Sequence, residues 1–272
     1  MPKSRLKLGF DQNLDNSCYL TSTMAALFLS PSKLLQRFIN RRQTRQKNRR
    51  HQQLARTHLL DTARNLASQE GQLSTEYLLA VREHLSQLDF AQQFSTQEPN
   101  DAVEWLEILF KIIDLPPLLN FAGKSGQSHI LNLPVGIGQS VQQCLGEILT
   151  EQRLLFAPGL LLINVQRLIK PTRRGSVVTQ NYRIQIEQEL SFSIRTRSQT
   201  YQLQSIVTMN QRRDHYCAYV WHHKRNRWLF LSDIGGQCQE LPASFTPNLS
   251  DSSSKQTVSI SCNAHFLVYS NL

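Results

Sequence analysis

Asn13-Leu14-Asp15-Asn16-Ser17-Cys18-Tyr19-Leu20-Thr21-Ser22 leads directly into the apolar segment Met24 to Leu29. The spacing predicts a polar turn that delivers a cysteine to a helix N-terminus, with Leu20, Met24, Leu27 and Phe28 on the buried face and Thr21, Ser22 and Thr23 in the first exposed turns. The unpaired N–H groups and positive dipole end of a helix favour a thiolate over a thiol, and the thiolate is the form that attacks a carbonyl. Asn13, five residues before Cys18, carries a neutral amide donor suited to the same carbonyl, which outlines an oxyanion hole. A single cysteine at a polar-to-apolar boundary is more often a small buried hydrophobe. The catalytic reading therefore needs a base, a histidine that the fold brings close from far away in sequence.

One of the eight histidines has such a setting. His215 lies in Asp214-His215-Tyr216-Cys217-Ala218-Tyr219-Val220-Trp221, where Tyr216, Ala218 and Val220 alternate with His215, Cys217 and Tyr219 at the period of a strand. After the turn 222–227 comes a second strand, Trp228-Leu229-Phe230-Leu231, ending at Ser232-Asp233. A hairpin sets the end of its second strand beside the start of its first, so Ser232 or Asp233 can reach the His215 ring and fix its tautomer. Cys217 reads as packing. His222 and His223, in the turn, read as solvated.

These two stretches resemble the cysteine and histidine boxes of the ubiquitin-specific proteases, a family of papain-like cysteine deubiquitinases. Three further segments agree in order: Asn100-Asp101-Ala102-Val103-Glu104-Trp105-Leu106, Pro158 to Arg167, and Tyr201-Gln-Leu-Gln-Ser-Ile-Val. The resemblance implies an α+β papain-like fold with a helical lobe over residues 1–127 and an antiparallel-sheet lobe over 128–272, together one catalytic domain. It implies thiol-dependent hydrolysis at the C-terminal glycine of ubiquitin or a ubiquitin-like modifier, with Cys18 as nucleophile, His215 as base, Ser232 or Asp233 as its partner and Asn13 at the oxyanion. Asp101 and Glu104 would line the channel for the modifier's tail, where carboxylates suit arginine side chains. Asp214 and Tyr216, flanking His215, complete the substrate-contacting set. Read without the family, first-turn carboxylates such as these are commonly partners of the helix dipole.

This sequence also departs from the family. Between the tail-channel helix and the sheet lobe the family usually carries a finger-like extension, often holding zinc on two Cys-x-x-Cys pairs. Only Leu115 to Gln139 fills that interval here, and it contains no cysteine, so the fingers are expected to be very short or absent, with no metal and no cofactor. Asp214 stands where a glycine is usual, and Ser232-Asp233 where paired aspartates are more common. A serine can orient an imidazole but cannot offset the charge of an imidazolium.

The bounds agree with one large or two small intracellular domains. The chain has 272 residues, 40% of them hydrophobic, which suffices for a substantial core. Five cysteines, an odd and widely spaced set without any Cys-x-x-Cys, point to a reducing compartment rather than a disulfide framework. No apolar run suits a secretory signal or a membrane span. The net charge of +10 is concentrated in Arg41 to Arg50, six positive charges in ten residues with no aromatic. That run reads as a solvated basic face, with import signalling, an anionic membrane surface or nucleic acid as the functional alternatives.

Leu54, Leu59, Leu60, Ala63 and Leu66 predict one amphipathic helix and Tyr77, Leu78, Val81, Leu85 and Leu88 a second. Asp101 opens a third, with Ala102, Trp105, Leu109 and Ile112 inward, ended by Pro116-Pro117. From Ser128 strands dominate: His129 to Val135, the segment after Leu160, Tyr182 to Glu187 as the clearest alternation, Ser191 to Ile194, Val258 to Cys262 and His265 to Tyr269, with a short helix over Val141 to Leu149. Two other functions stay open: a weak or inactive ubiquitin-binding module, and a basic binder of nucleic acid or acidic surfaces.

Overall fold

The computed structural model describes residues 17–40, 50–68, 75–96, 98, 100–123, 126–167, 182–194, 196–210, 215–233, 237–247, 260–261 and 263–271, and of 75–78 and 237 the backbone alone. In chain order the elements are α1 (Cys18–Phe28), α2 (Lys33–Asn40), α3 (Arg50–Ser68), α4 (Thr75–Leu85), a 3-10 turn (Asp89–Ser95), α5 (Ala102–Ile113), β1 (Leu119–Asn120), β2 (Gln127–Ser128), β3 (Leu131–Val135), α6 (Val141–Glu151), β4 (Leu160–Arg167), β5 (Glu189–Ile194), β6 (Arg197–Met209), β7 (Tyr216–His222), β8 (Arg227–Ser232), β9 (Gln237–Glu240) and β10 (Ala264–Asn271). Two compact units result. One joins Met1–Pro116 to Arg212–Ala243, the other Pro117–Gln211 to Ser244–Leu272. The hairpin β7–β8 thus groups with the helices, and Cys18 and His215 belong to one unit.

In that first unit α1 is the central helix. All eleven of its residues are buried, including Thr21, Ser22 and Thr23, which the amphipathic pattern assigned to exposed turns. The hydroxyls that made those positions look exposed are satisfied within the helix. Thr23 Oγ1 donates to Tyr19 O at 2.8 Å or Leu20 O at 3.0 Å, and Thr21 Oγ1 lies 3.1 Å from both Ser17 O and Cys18 O. A hydroxyl with a backbone acceptor one turn back no longer needs water. Tyr19 anchors the helix: its ring centroid lies 6.0 Å from that of Phe94 and 6.2 Å from that of Trp105, with Phe94 and Trp105 5.5 Å apart. Tilted aromatic clusters of this kind add about 0.5–1.5 kcal/mol per pair beyond their buried area.

α5 carries the inward residues Ala102, Trp105, Leu109 and Ile112 as its spacing predicts, all fully buried. Asp101 is its N-cap, accepting from Val103 N at 2.7 Å and Glu104 N at 3.2 Å. The helix ends at Asp114, a left-handed C-cap with φ of 61°, before Pro116-Pro117 is reached. α3 buries Leu59, Leu60, Ala63 and Leu66. α2 has no counterpart in the sequence reading, because two buried residues one turn apart, Leu35 and Ile39, are too few to set a period beside a basic run. It is tied to α3 where Arg64 Nε donates to Ile39 O at 2.9 Å. Of the basic run itself only Arg50, the first residue of α3, is among the described residues.

β7 and β8 pair antiparallel with Ala218 opposite Leu231 and Val220 opposite Leu229, and β9 continues the ladder on β8. The turn between them places Asn226 at φ 52°, a conformation that asparagine tolerates better than most residues. His222 is buried rather than solvated: its Nδ1 accepts from Arg225 N at 3.2 Å, so the ring serves as an internal cap of the turn. His223 is exposed, as its place in the turn suggests.

The second unit is a sheet in the order β3, β4, β10, β6, with β5 also pairing with β6. β3 and β4 are parallel and the rest antiparallel. A parallel pair needs a crossover, which α6 supplies, opened by a capping box between Ser140 and Gln143. Leu160 to Ile163 are fully buried in β4. Two strand expectations fail. In residues 182–187, Ile184 and Ile186 are buried, yet the segment makes only an isolated bridge from Gln185 to Ser140; alternation recorded which side chains turn inward, not a ladder. Ile260 and Ser261, the described part of Val258 to Cys262, are helical. In the interval where fingers would lie, the two-residue strands β1 and β2 precede β3. Among the described residues no helix is long and apolar enough to cross a membrane.

Candidate active site

Cys18 is the first residue of α1 and is only 5% exposed. α1 packs on β7 and β8, so the sulfur lies against the backbone N–H of Tyr216, the residue after His215. Burial pushes the thiol up to about 11; the Tyr216 N–H opposes that rise and the negative Asp233 adds to it. The sequence expectation of a thiolate favoured by the helix end is therefore reversed in the resting protein. A helix terminus contributes about 0.3–1 kcal/mol at an exposed position, which burial of an anion exceeds.

His215 is buried and directly precedes β7. Its Nε2 stands 3.0 Å from Ser232 Oγ and 3.6 Å from Asp233 Oδ1. The hairpin register accounts for both. With Ala218 opposite Leu231, Ser232 falls opposite Cys217 and Asp233 opposite Tyr216, so both reach the ring of His215. Of the two residues that sequence left open, Ser232 makes the hydrogen bond. Asp233 stands at ion-pair range, its other oxygen accepting from Thr21 Oγ1 at 3.3 Å. Burial holds the Asp233 carboxyl above the ordinary carboxylate range, while His215 and the Thr21 hydroxyl draw it back down. Cys217 lies beside the Ser232 hydroxyl, its thiol raised by burial to about 11.

With Nε2 facing Ser232 and Asp233, Nδ1 is the ring nitrogen left for proton transfer. An imidazole N–H donated from Nε2 to Ser232 fixes the tautomer in which Nδ1 carries a lone pair.

Tyr216 Oη accepts from Ala102 N at 3.5 Å, which brings the start of α5 to the histidine strand. The Asp101 carboxylate is occupied as the helix cap, and Glu104 is exposed with Gln93 Nε2 3.4 Å from its carboxylate. Asn13 and Asp214 lie outside the described residues. The residue the sequence reading missed is Thr21. Its signal is its place one turn after Cys18, on the same face of the helix, at a position the sequence pattern reads as exposed. Among the described residues no three His, Cys, Asp or Glu side chains could hold a metal ion.

A thiol at a helix start, and an imidazole with a hydroxyl and a carboxylate beside one ring nitrogen, are groups that thiol-dependent hydrolysis can use. The chain belongs to the ubiquitin carboxyl-terminal hydrolase family, whose model matches residues 11–269. It is a cysteine deubiquitinase of the ubiquitin-specific protease type, with the α+β papain-like fold of that family. Two solved structures have the same fold. The SAGA Ubp8/Sgf11/Sus1/Sgf73 DUB module bound to ubiquitin aldehyde matches with a TM-score of 0.70 at 13% identity, over 100% of this chain and 71% of that one. A Ubp8 variant of the SAGA module bound to monoubiquitin matches with a TM-score of 0.70 at 14% identity, over 98% and 70%. Direct comparison of the sequence with curated proteins finds no match.

Proposed function

We propose that the chain cleaves the isopeptide or peptide bond at the C-terminal glycine of ubiquitin, with Cys18 as nucleophile and His215 as general base and acid. The observation that carries this is the approach of His215 Nε2 to Ser232 Oγ at 3.0 Å and Asp233 Oδ1 at 3.6 Å, beside a Cys18 sulfur held against the Tyr216 N–H. Because the resting thiol is neutral, His215 Nδ1 takes its proton as the sulfur attacks. Electrons move from sulfur to the carbonyl carbon, and the oxyanion is stabilised by backbone N–H groups and by the Asn13 amide. His215 then returns the proton to the departing amine, Ser232 and Asp233 having held the imidazolium. Water, deprotonated by the same ring, opens the thioester and regenerates the thiol.

Ubiquitin is the modifier this reading favours, since the matched modules are bound to ubiquitin aldehyde and monoubiquitin. Its tail would pass between the start of α5 and β7, with Glu104, Asp101 and Tyr216 as walls and Asp214 beside the histidine. An odd, widely spaced set of cysteines and a thiol nucleophile favour a reducing compartment. The basic run 41–50 would add contact with an anionic surface, to be tested by the salt dependence of binding.

The test is covalent capture. Ubiquitin carrying an electrophile in place of its C-terminal carboxylate should add one ubiquitin mass to the protein, and Cys18→Ala should abolish the adduct. Failure to form it, while other ubiquitin-like modifiers with the same electrophile do react, would move the specificity to that modifier; no adduct with any of them would end the reading.

A further inference from the structure

Asp233 is almost completely buried, at 3% exposure. Its Oδ1 faces His215 Nε2 at 3.6 Å and has no hydrogen bond of its own among the described residues. The group that holds the other oxygen is the hydroxyl of Thr21, 3.3 Å away, and Thr21 is itself only 5% exposed. Among the described residues, the other polar groups near the carboxylate are the Cys18 thiol from α1, the His215 ring just before β7, the Cys217 thiol from β7, the neighbouring Ser232 hydroxyl and the backbone N–H of Asp233. Thr21 Oγ1 donates to the carboxylate from the neighbouring helix, 212 residues away in sequence.

The Thr21 proton has three acceptors within reach: Ser17 O and Cys18 O, both at 3.1 Å, and Asp233 Oδ2 at 3.3 Å. Two are neutral carbonyls of the helix and one is a carboxylate. A hydroxyl proton goes to the charged acceptor when there is one, because such bonds are about twice as strong as neutral ones. When Asp233 is protonated the hydroxyl falls back on the carbonyls, where threonines in helices ordinarily bond. The Thr21 hydroxyl itself keeps an acceptor in either state. We propose that Thr21 is a positioning residue of the active site, whose hydroxyl secures the ionised form of Asp233 with Oδ1 toward His215 and so links the imidazole's counter-charge to the helix that carries the nucleophile. This rests on the reading of Cys18 and His215 given above.

Such a link does two things. It keeps the carboxylate charged against a burial that favours its neutral form, which extends toward acid the range over which an imidazolium at His215 has a counter-charge. It also couples α1 to the end of β8 through one bond, so that the nucleophile and the group supporting the base keep their spacing during attack.

The experiment compares Thr21→Val, which keeps the shape and removes the hydroxyl, with Thr21→Ser, which keeps the hydroxyl and removes a methyl group. kcat/KM is measured from pH 5 to 9 on ubiquitin bearing a fluorogenic amide at its C-terminus, and the Asp233 carboxyl is titrated by carbon NMR in the same proteins, its signal identified by its loss in Asp233→Asn. In Thr21→Val the Asp233 titration and the acid limb of kcat/KM should both move up by about one pH unit, the scale of a hydrogen bond to a charged acceptor, with the plateau lowered about three- to tenfold. Thr21→Ser should leave the titration and the limb in place whatever it does to stability. An unmoved Asp233 titration in Thr21→Val, or an equal displacement in Thr21→Ser, overturns the proposal. The titration does not depend on turnover. An upward shift in Thr21→Val without hydrolysis of ubiquitin by the wild-type protein would support the link and reject the deubiquitinase mechanism.

Discussion

His215 presents Nε2 to Ser232 Oγ at 3.0 Å, so the neutral residue of the Ser232-Asp233 pair makes the hydrogen bond and the charged one stands 0.6 Å farther off, at 3.6 Å. In the proposed mechanism the hydroxyl would orient the imidazole and the carboxylate would offset its charge, two tasks that a single aspartate performs in a Ser-His-Asp triad. Ser232→Ala should free the ring to rotate while leaving the carboxylate, lowering kcat by about 10- to 100-fold, the equivalent of one hydrogen bond to a group that becomes charged. KM should change little. Steady-state kinetics on a fluorogenic ubiquitin substrate decides; a kcat within twofold of wild type would leave orientation to Asp233 alone.

The opposite substitution separates stability from activity. Burial raises the Asp233 carboxyl above its ordinary value, so the proton is held more tightly in the folded chain than in the unfolded one. The stability associated with that shift is complete below the unfolded carboxyl value and is lost as pH rises through the folded one. At neutral pH the ionised carboxylate is therefore a cost. Asp233→Asn should have a urea midpoint at pH 7 no lower than wild type, and kcat reduced by about 10- to 100-fold for want of a counter-charge at the imidazolium. A clear drop in the midpoint would mean that the pairing with His215 outweighs burial.

Cys18 gives a prediction with the same sign at the alkaline end. Its thiol rises from 9.0 to about 11 on folding, so the folded chain keeps a proton that the unfolded chain releases between those values. Stability from this source is full below pH 9 and disappears as pH approaches 11. Comparing wild type with Cys18→Ala by urea melts at pH 7 and pH 10, the wild type should lose more stability over that interval. Alkylation of Cys18 in the substrate-free enzyme should likewise keep accelerating through pH 9 without reaching a plateau; a plateau near neutrality would indicate a preformed thiolate.

Much of this site could be read in the sequence because its parts are local. The polar turn before Cys18, the alternation after His215 and the register of one hairpin bring Ser232 and Asp233 to the ring by arithmetic alone. What could not be read depends on packing between segments far apart. Thr21 reads as exposed because composition cannot tell a helix with one buried face from α1, which is enclosed along its whole length. The same blindness made the thiol look acidic, since the effect of the helix end is visible in sequence and the depth of burial is not. His222 stands in a turn and so reads as solvated, though its ring caps that turn from within. Ile184 and Ile186 alternate as strand residues do, yet what they record is two side chains turned into the core.

Asp101 has two possible uses that a pair of substitutions can separate. As the N-cap of α5 it accepts from Val103 N and Glu104 N, and Asp101→Ala should lower stability by about 1 kcal/mol for loss of that cap. Serine caps about as well as aspartate, so Asp101→Ser should keep the urea midpoint close to that of the wild type while removing the negative charge. If the carboxylate also meets arginines in the tail of ubiquitin, KM in Asp101→Ser should rise by about three- to tenfold with kcat unchanged, the scale of a solvent-accessible charge-assisted contact. The rise should shrink at high salt, because the contact is screened. A KM equal to wild type in Asp101→Ser, with stability lost only in Asp101→Ala, would confine Asp101 to the helix cap and leave Glu104, which is exposed and one turn farther on, as the carboxylate available to the tail.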